Sequence, residues 1–290
     1  MPDNPQTSTA PAFALGDHRV IALTGRDAAA FAQAQFMNDV TGLAPGQWHW
    51  SGWLTPKGRV LALFALLKLA DDALWLVLPD ADPVAFSAAL QRFVFRAKVT
   101  IDVRDDLLVQ GRFAAPASAS GDTFAGDESS GIELDLGATG GARTLRIALA
   151  AAVASDDDAR SRWAAFDLEH GLPRLAPSQA EHWTPQQLSL ERLHAFSVKK
   201  GCYPGQEIVA RTHFLGQAKR GLALFEADAA LADGAEVRGE STALGKLVAT
   251  ADHTGRHLAL AVLPFERAAQ PLSVESQPLR ERPLLDGLAR

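Results

Sequence analysis

The side chain best equipped for chemistry is Cys202, the only cysteine in 290 residues. Lys199 and Lys200 precede it, Gln206 and Glu207 follow it, and Gly201, Pro204 and Gly205 lie between. A free cysteine is most often a small buried hydrophobe, but charged, polar and turn-forming neighbours make a poor core. They predict a partly exposed thiol in an electropositive setting, which favours the reactive thiolate. Tyr203-Pro204-Gly205-Gln206 has type II turn chemistry, with Pro setting φ at the second position and Gly accepting φ > 0 at the third. Ile208, Val209, Thr212 and Leu215 follow at helical spacing. Their β-branched content also suits a short strand, and the helix is favoured. Such a helix places the thiol near an N-terminus, where oriented N–H groups add to the two lysines.

The rest of the chain has to position that segment. Hydrophobic residues make up 47%, ample for a large core or for two to three small ones. A net charge of −6 argues against nucleic acid as the main direct ligand. One cysteine excludes an internal disulfide and cannot alone supply the several thiolates that an iron–sulfur cluster needs. No Cys-rich zinc spacing is present, and no residue is assigned to a metal. Residues 1–12 read as a disordered lead without signal-peptide character. The run Leu61–Ala70 is too short to span a bilayer and carries Lys68. A cytoplasmic protein that binds neither membrane nor nucleic acid directly is expected.

In chain order, Arg19–Leu23 reads as a strand, and Thr24-Gly25-Arg26-Asp27 as a capping box opening an Ala-rich helix. Asn38 and Asp39 read as its closing cap. Gln47–Leu69 reads as a hairpin turning at Thr55-Pro56-Lys57-Gly58. Its Trp48, Trp50 and Trp53 are core by strand alternation, or the floor under a flat ligand. Asp82-Pro83 starts a second helix, with further strands at 98–103, 107–110, 132–136 and 144–149. Ala114–Gly131 is a surface loop, and no G-x-G-x-x-G fingerprint occurs. Asp156–Asp158 opens a helix that puts Ala159, Trp163, Phe166 and His170 on one face, ended by Gly171 and Pro173. Thr184-Pro185-Gln186-Gln187 is another capping box. Beyond Gly221, short apolar runs alternate with Gly and Asp, the pattern of a small antiparallel barrel. His253 and His257 fall at a hairpin turn rather than on a helix.

Lys200-Gly201-Cys202-Tyr203-Pro204-Gly205-Gln206-Glu207, continued by Ile208-Val209-Ala210-Arg211 and closed by Lys219-Arg220, resembles the signature of the YgfZ family. Those folate-binding proteins are related to the T-protein, the aminomethyltransferase of the glycine cleavage system. The likeness extends to Trp163–Pro173 and Pro185–Cys202, more weakly to Gln35–Val40 and Thr55–Arg59, and covers most of residues 15–225. It implies an α+β fold, the T-protein-like three-domain cloverleaf: two interleaved α+β domains, one ferredoxin-like, plus a C-terminal antiparallel β-barrel. The corresponding division is 1–46 and 151–220 for the folate-binding domain, 47–150 for the ferredoxin-like domain and 221–290 for the barrel.

The resemblance also implies a cofactor, tetrahydrofolate or a one-carbon derivative. Trp163 falls on the family's folate-contacting tryptophan, and Lys200 and Cys202 on its signature lysine and cysteine. A second family tryptophan corresponds here to His18, which can still stack or hydrogen-bond. Glu169 or Glu207 suits the pterin edge. Lys200, Arg211, Lys219 or Arg220 suits the anionic tail. Tyr203 and Gln206 complete the expected binding set, and Cys202 with Lys200 the reactive pair. The implied function is an accessory protein supporting assembly or repair of iron–sulfur clusters in client enzymes, including tRNA-thiolating enzymes, with cluster-assembly proteins as further partners. Two alternatives remain: a folate-dependent aminomethyltransferase, whose acid would come from Asp102, Asp105 or Asp106, and a non-catalytic scaffold with folate as structural ligand.

Overall fold

The computed structural model describes residues 10–151, 153–216, 218–240 and 242–290; most of the expected N-terminal lead lies outside them. The first part of the chain runs β1 (Phe13–Ala14), β2 (Arg19–Thr24), α1 (Ala28–Gln35), β3 (Gln47–Leu54), β4 (Val60–Ala70), β5 (Ala73–Leu78), α2 (Pro83–Gln91) and β6 (Thr100–Val103). Next come β7 (Leu107–Arg112), β8 (Ala125–Asp127), β9 (Gly131–Asp135), β10 (Thr144–Leu149), α3 (Asp157–Glu169) and α4 (Gln206–Phe214). The last part holds β11 (Arg220–Ala227), β12 (Glu236–Arg238), β13 (Ala243–His253), β14 (Arg256–Pro264), β15 (Leu272–Val274) and β16 (Gln277–Arg282).

These strands form two five-stranded antiparallel sheets, ordered β3-β4-β5-β2-β6 and β1-β7-β10-β9-β8, and a closed six-stranded barrel. The β3–β4 hairpin turns where Pro and Gly require it, and α2 starts on Asp82, whose carboxylate accepts from the Ala85 N–H at 2.8 Å. Asp156 does the same for α3 through Ala159 N–H, and Gly171 follows its last turn at φ 68°. Two expectations need correction. Thr24 ends β2 and caps nothing. Asp27 takes the N-cap position of α1, but its carboxylate accepts the Lys98 N–H across the sheet instead. The expected boundary at 46–47 falls inside one sheet, because β2 pairs with β5 and β6. Strands within 47–150 are in turn split between the two sheets. Pairing partners that far apart leave no local trace in the sequence.

Strand alternation gives the first sheet two buried faces. Ile21, Phe64, Leu66 and Trp53 pack under α1 and α2. Val20, Trp48, Trp50 and Val77 turn to the opposite side, where they meet Leu134 and Ile147 of the second sheet, Trp163 of α3, and Leu224 and Leu260 of the barrel. The three hairpin tryptophans are therefore all buried but do not share a face. After β16 a strap, residues 283–290, crosses back to this centre. Its Leu285 N–H donates to the Glu169 carbonyl, and its Leu288 carbonyl accepts the Trp50 indole N–H at 2.7 Å.

Candidate functional site

The two sheets, α3 and the turn before β2 enclose a cavity. His18, Trp50, Trp163 and Asp167 give it its chemistry, and aliphatic residues such as Val77, Leu134 and Leu145 complete the wall. Helical spacing explains why Trp163 and Asp167 arrive together: positions four apart share a face. The Trp163 ring is held edge-on by Phe13 and Phe113, and on its other side the Arg143 guanidinium lies 4.2 Å from its centroid.

The acid in the wall is fixed by arginines. Arg143 is fully buried between the rings of Trp163 and Phe166 and donates to Asp167 Oδ1 at 2.8 Å. Arg174 approaches Asp167 Oδ2 at 3.6 Å, too far for a hydrogen bond, and is held instead by Asp80 and Asp17. Asp17 also lies 3.0 Å from His18 Nδ1. Burial alone would raise the Asp17 carboxyl; His18 and Arg174 together hold it far below the ordinary carboxylate range. His18 is thus oriented from the far side of its ring by a carboxylate, and Asp167 keeps one oxygen with lone pairs to offer.

This donor set suits a flat heterocycle with a hydrogen-bonding edge: aromatic faces from Trp50, Trp163 and His18, and an acceptor from Asp167. The width does not yet suit one. The cavity volume is only about 20 Å3, room for one water. Admission of a bicyclic ring requires the walls to part.

The signature segment folds beside this centre, not into it. Tyr203–Gln206 forms the expected type II turn, with Gly205 at φ 81° and ψ 0°, and α4 follows as the favoured helix. Lys200 differs from expectation. Its ammonium donates to the carbonyl oxygens of Gln33, Phe36 and Asn38, all within 3.0 Å, and so caps the C-terminal end of α1. Burial lowers its pKa to about 8, opposed by Asp39. Beneath it, burial and the Lys200 charge push His49 down to about 3. Tyr203 is buried among the same central residues, with its hydroxyl donating to the Ser197 carbonyl at 3.3 Å. Gln206 donates to the Lys200 carbonyl and closes the loop.

Cys202 is exposed, as its neighbours predict, but it is not part of the cavity wall. Glu207 and Arg211 are exposed on α4, and Glu169 forms an ion pair with Arg256 at 2.8 Å on the barrel side. Arg220 donates to the Leu244 carbonyl at the barrel. Of the expected binding residues the cavity brings together Trp163 and His18. Asp102, Asp105 and Asp106 also lie outside its wall: Asp102 is in edge strand β6, and Asp106 pairs with Arg104. Sequence reasoning missed Asp167 and Arg143. For Asp167 the signal was present, four residues after Trp163 on a helix with a known buried face. For Arg143, in a Gly-rich stretch, there was none.

Two α+β sheets joined to a closed six-stranded barrel define a T-protein-like fold. The glycine cleavage system aminomethyltransferase T of Bartonella henselae superposes with a TM-score of 0.70 over 97% of this chain and 86% of its own, at 14% identity. No family model matches the chain. The tRNA-modifying protein YgfZ of Vibrio vulnificus is 32% identical over 220 residues, covering 70% of this chain and 66% of that one. That of Colwellia psychrerythraea is 29% identical over 230 residues, covering 72% and 69%. The chain belongs to the YgfZ family.

Proposed function

We propose that this chain is a tetrahydrofolate-binding accessory protein whose central cavity takes the pteridine and whose exposed Cys202 serves iron–sulfur client enzymes, those that thiolate tRNA among them. The observation that carries the reading is the convergence of Trp163, His18 and Asp167 on one cavity. The aromatic faces would hold the ring, and the free oxygen of Asp167 would accept from its edge. Relatives named as tRNA-modifying proteins support the link to tRNA, and the acidic chain favours a link made through a client enzyme. Folate, when bound, carries one-carbon units at its reduced ring; the part of this chain is to bind and orient that ring.

Anaerobic calorimetric titration with tetrahydrofolate tests the cavity. Wild-type protein binds, and Asp167→Asn and Trp163→Ala each lose about tenfold or more in affinity, the cost of one hydrogen bond to a charged group or of one aromatic face. Absence of heat with wild type overturns the assignment. The thiol is tested separately: Cys202→Ala expressed in a strain lacking its own copy fails to restore tRNA thiolation, and full restoration removes Cys202 from the function. The aminomethyltransferase alternative is less favoured, because each of its candidate acids lies outside the cavity wall.

A further inference from the structure

Helix α4 is lightly packed. Of its nine residues only Val209 is buried; it reaches the central core, and its carbonyl accepts from Gln186 Nε2 at 2.9 Å. A free-standing helix this short is marginal in water, and tertiary packing of an apolar face is what ordinarily stabilises one. Here the apolar side chains point outward instead: Phe214 is 65% exposed and Leu215, directly after the helix, 83%. Ile208, nearer the start, is also exposed and rests against Gly58 of the β3–β4 turn.

Four cations lie close to this apolar strip in the chain or beside a residue that touches it. Lys57 adjoins Gly58, Lys199 lies three residues before Cys202, Arg211 is on the helix and Lys219 follows it; all four are exposed. Among the described residues none of them forms an ion pair. Glu207 is the acid on the helix itself. The chain as a whole carries −6, so this concentration of unpaired positive charge runs against its overall balance.

We propose that the exposed face of α4, with Ile208, Phe214 and Leu215 at its centre and Lys57, Lys199, Arg211 and Lys219 around them, docks a partner protein that presents an apolar patch rimmed by carboxylates. An apolar centre inside a charged rim is the anatomy of a protein–protein interface, and the sign of the rim selects an acidic partner and speeds its approach. Two of the three central side chains are aliphatic and cannot stack on a base, which favours protein over RNA. Docking here covers the segment that carries Cys202. The proposal rests on the accessory role given above in one respect only, that a partner exists; it does not depend on folate.

The test replaces Leu215 by a photo-crosslinking benzoylphenylalanine in the full chain, expressed in a strain lacking its own copy. The expected result is an adduct with a different protein that resists ribonuclease and disappears in the Lys57→Glu/Arg211→Glu variant. That protein, identified and purified, then binds wild type at least tenfold more tightly than Ile208→Ser/Leu215→Ser, with affinity falling as salt rises. A ribonuclease-sensitive adduct, an adduct with a second copy of this chain, no adduct, or equal affinity for both forms overturns the proposal. Tetrahydrofolate titration of wild type and of Ile208→Ser/Leu215→Ser separates the two readings: unchanged folate binding with lost docking supports this interface, whereas docking by a wild type that shows no folate binding refutes only the folate assignment.

Discussion

Tyr203 is the only tyrosine in the chain, so its ionisation can be followed without interference. Burial raises its phenol from 10.0 to about 12. Near-ultraviolet tyrosinate absorbance of the folded protein is expected to appear with a midpoint near 12 and to return to about 10 in urea. The sign of the linkage follows. Between those two values the unfolded chain has released a proton that the folded one keeps, so the stability tied to the buried phenol is full below pH 10 and is lost as pH rises through 12. Lys200 is a second residue whose role changes once its contacts are known. Lys200→Met leaves three carbonyl oxygens at the end of α1 without their donor. It is expected to lower the unfolding free energy by about 1–3 kcal/mol in urea titration. Its type and position suggested a partner for the thiol; what no residue spacing revealed is that carbonyls at a helix end 162 to 167 residues earlier claim the ammonium.

Elements were the most legible scale. Turn chemistry located the β3–β4 hairpin, Asp-Pro located α2, and short apolar runs separated by glycines located the barrel strands, because each of those signals is local. The junction of two turns was not legible. Gly58 and Gly205 sit at φ 69° and 81°, and a Cβ on Gly205 would lie 2.6 Å from the Thr55 carbonyl oxygen and 2.7 Å from Gly58 Cα. The signature loop is thereby pressed against the hairpin by two bare backbones. Gly205→Ala meets backbone rather than a yielding side chain and combines that clash with a left-handed φ. It is expected to lower the urea unfolding free energy by about 2–3 kcal/mol and to increase hydrogen exchange in α4, while Gly201→Ala, with open space around it, leaves both unchanged.

For the whole molecule the decisive feature is the buried charge at the centre. Arg143 and Asp167 are both essentially without solvent, so removing one strands the other. Arg143→Leu is expected to cost about 3–5 kcal/mol, and the double variant Arg143→Leu/Asp167→Leu to recover much of that loss, because an apolar pair replaces a buried ion pair at little expense. Thermal unfolding of the two single variants and the double one closes the cycle. This centre could be read in part: Trp163 and His18 came from a resemblance, and Asp167 was reachable from helix periodicity. Trp50 was offered as the floor under a flat ligand, whereas Leu134 and Leu145 come from the second sheet, whose pairing the sequence does not announce.

The strap at residues 283–290 gives the centre a history as well as a shape. The bond from the Trp50 indole to the Leu288 carbonyl joins positions 238 apart, near the longest separation the described chain can offer. During synthesis the first sheet emerges with that indole lacking its acceptor, and it stays so until the ribosome has released the whole barrel and the strap behind it. Until then a nascent chain carries an unfinished middle, and completion of this centre is expected to follow synthesis of the strap rather than precede it.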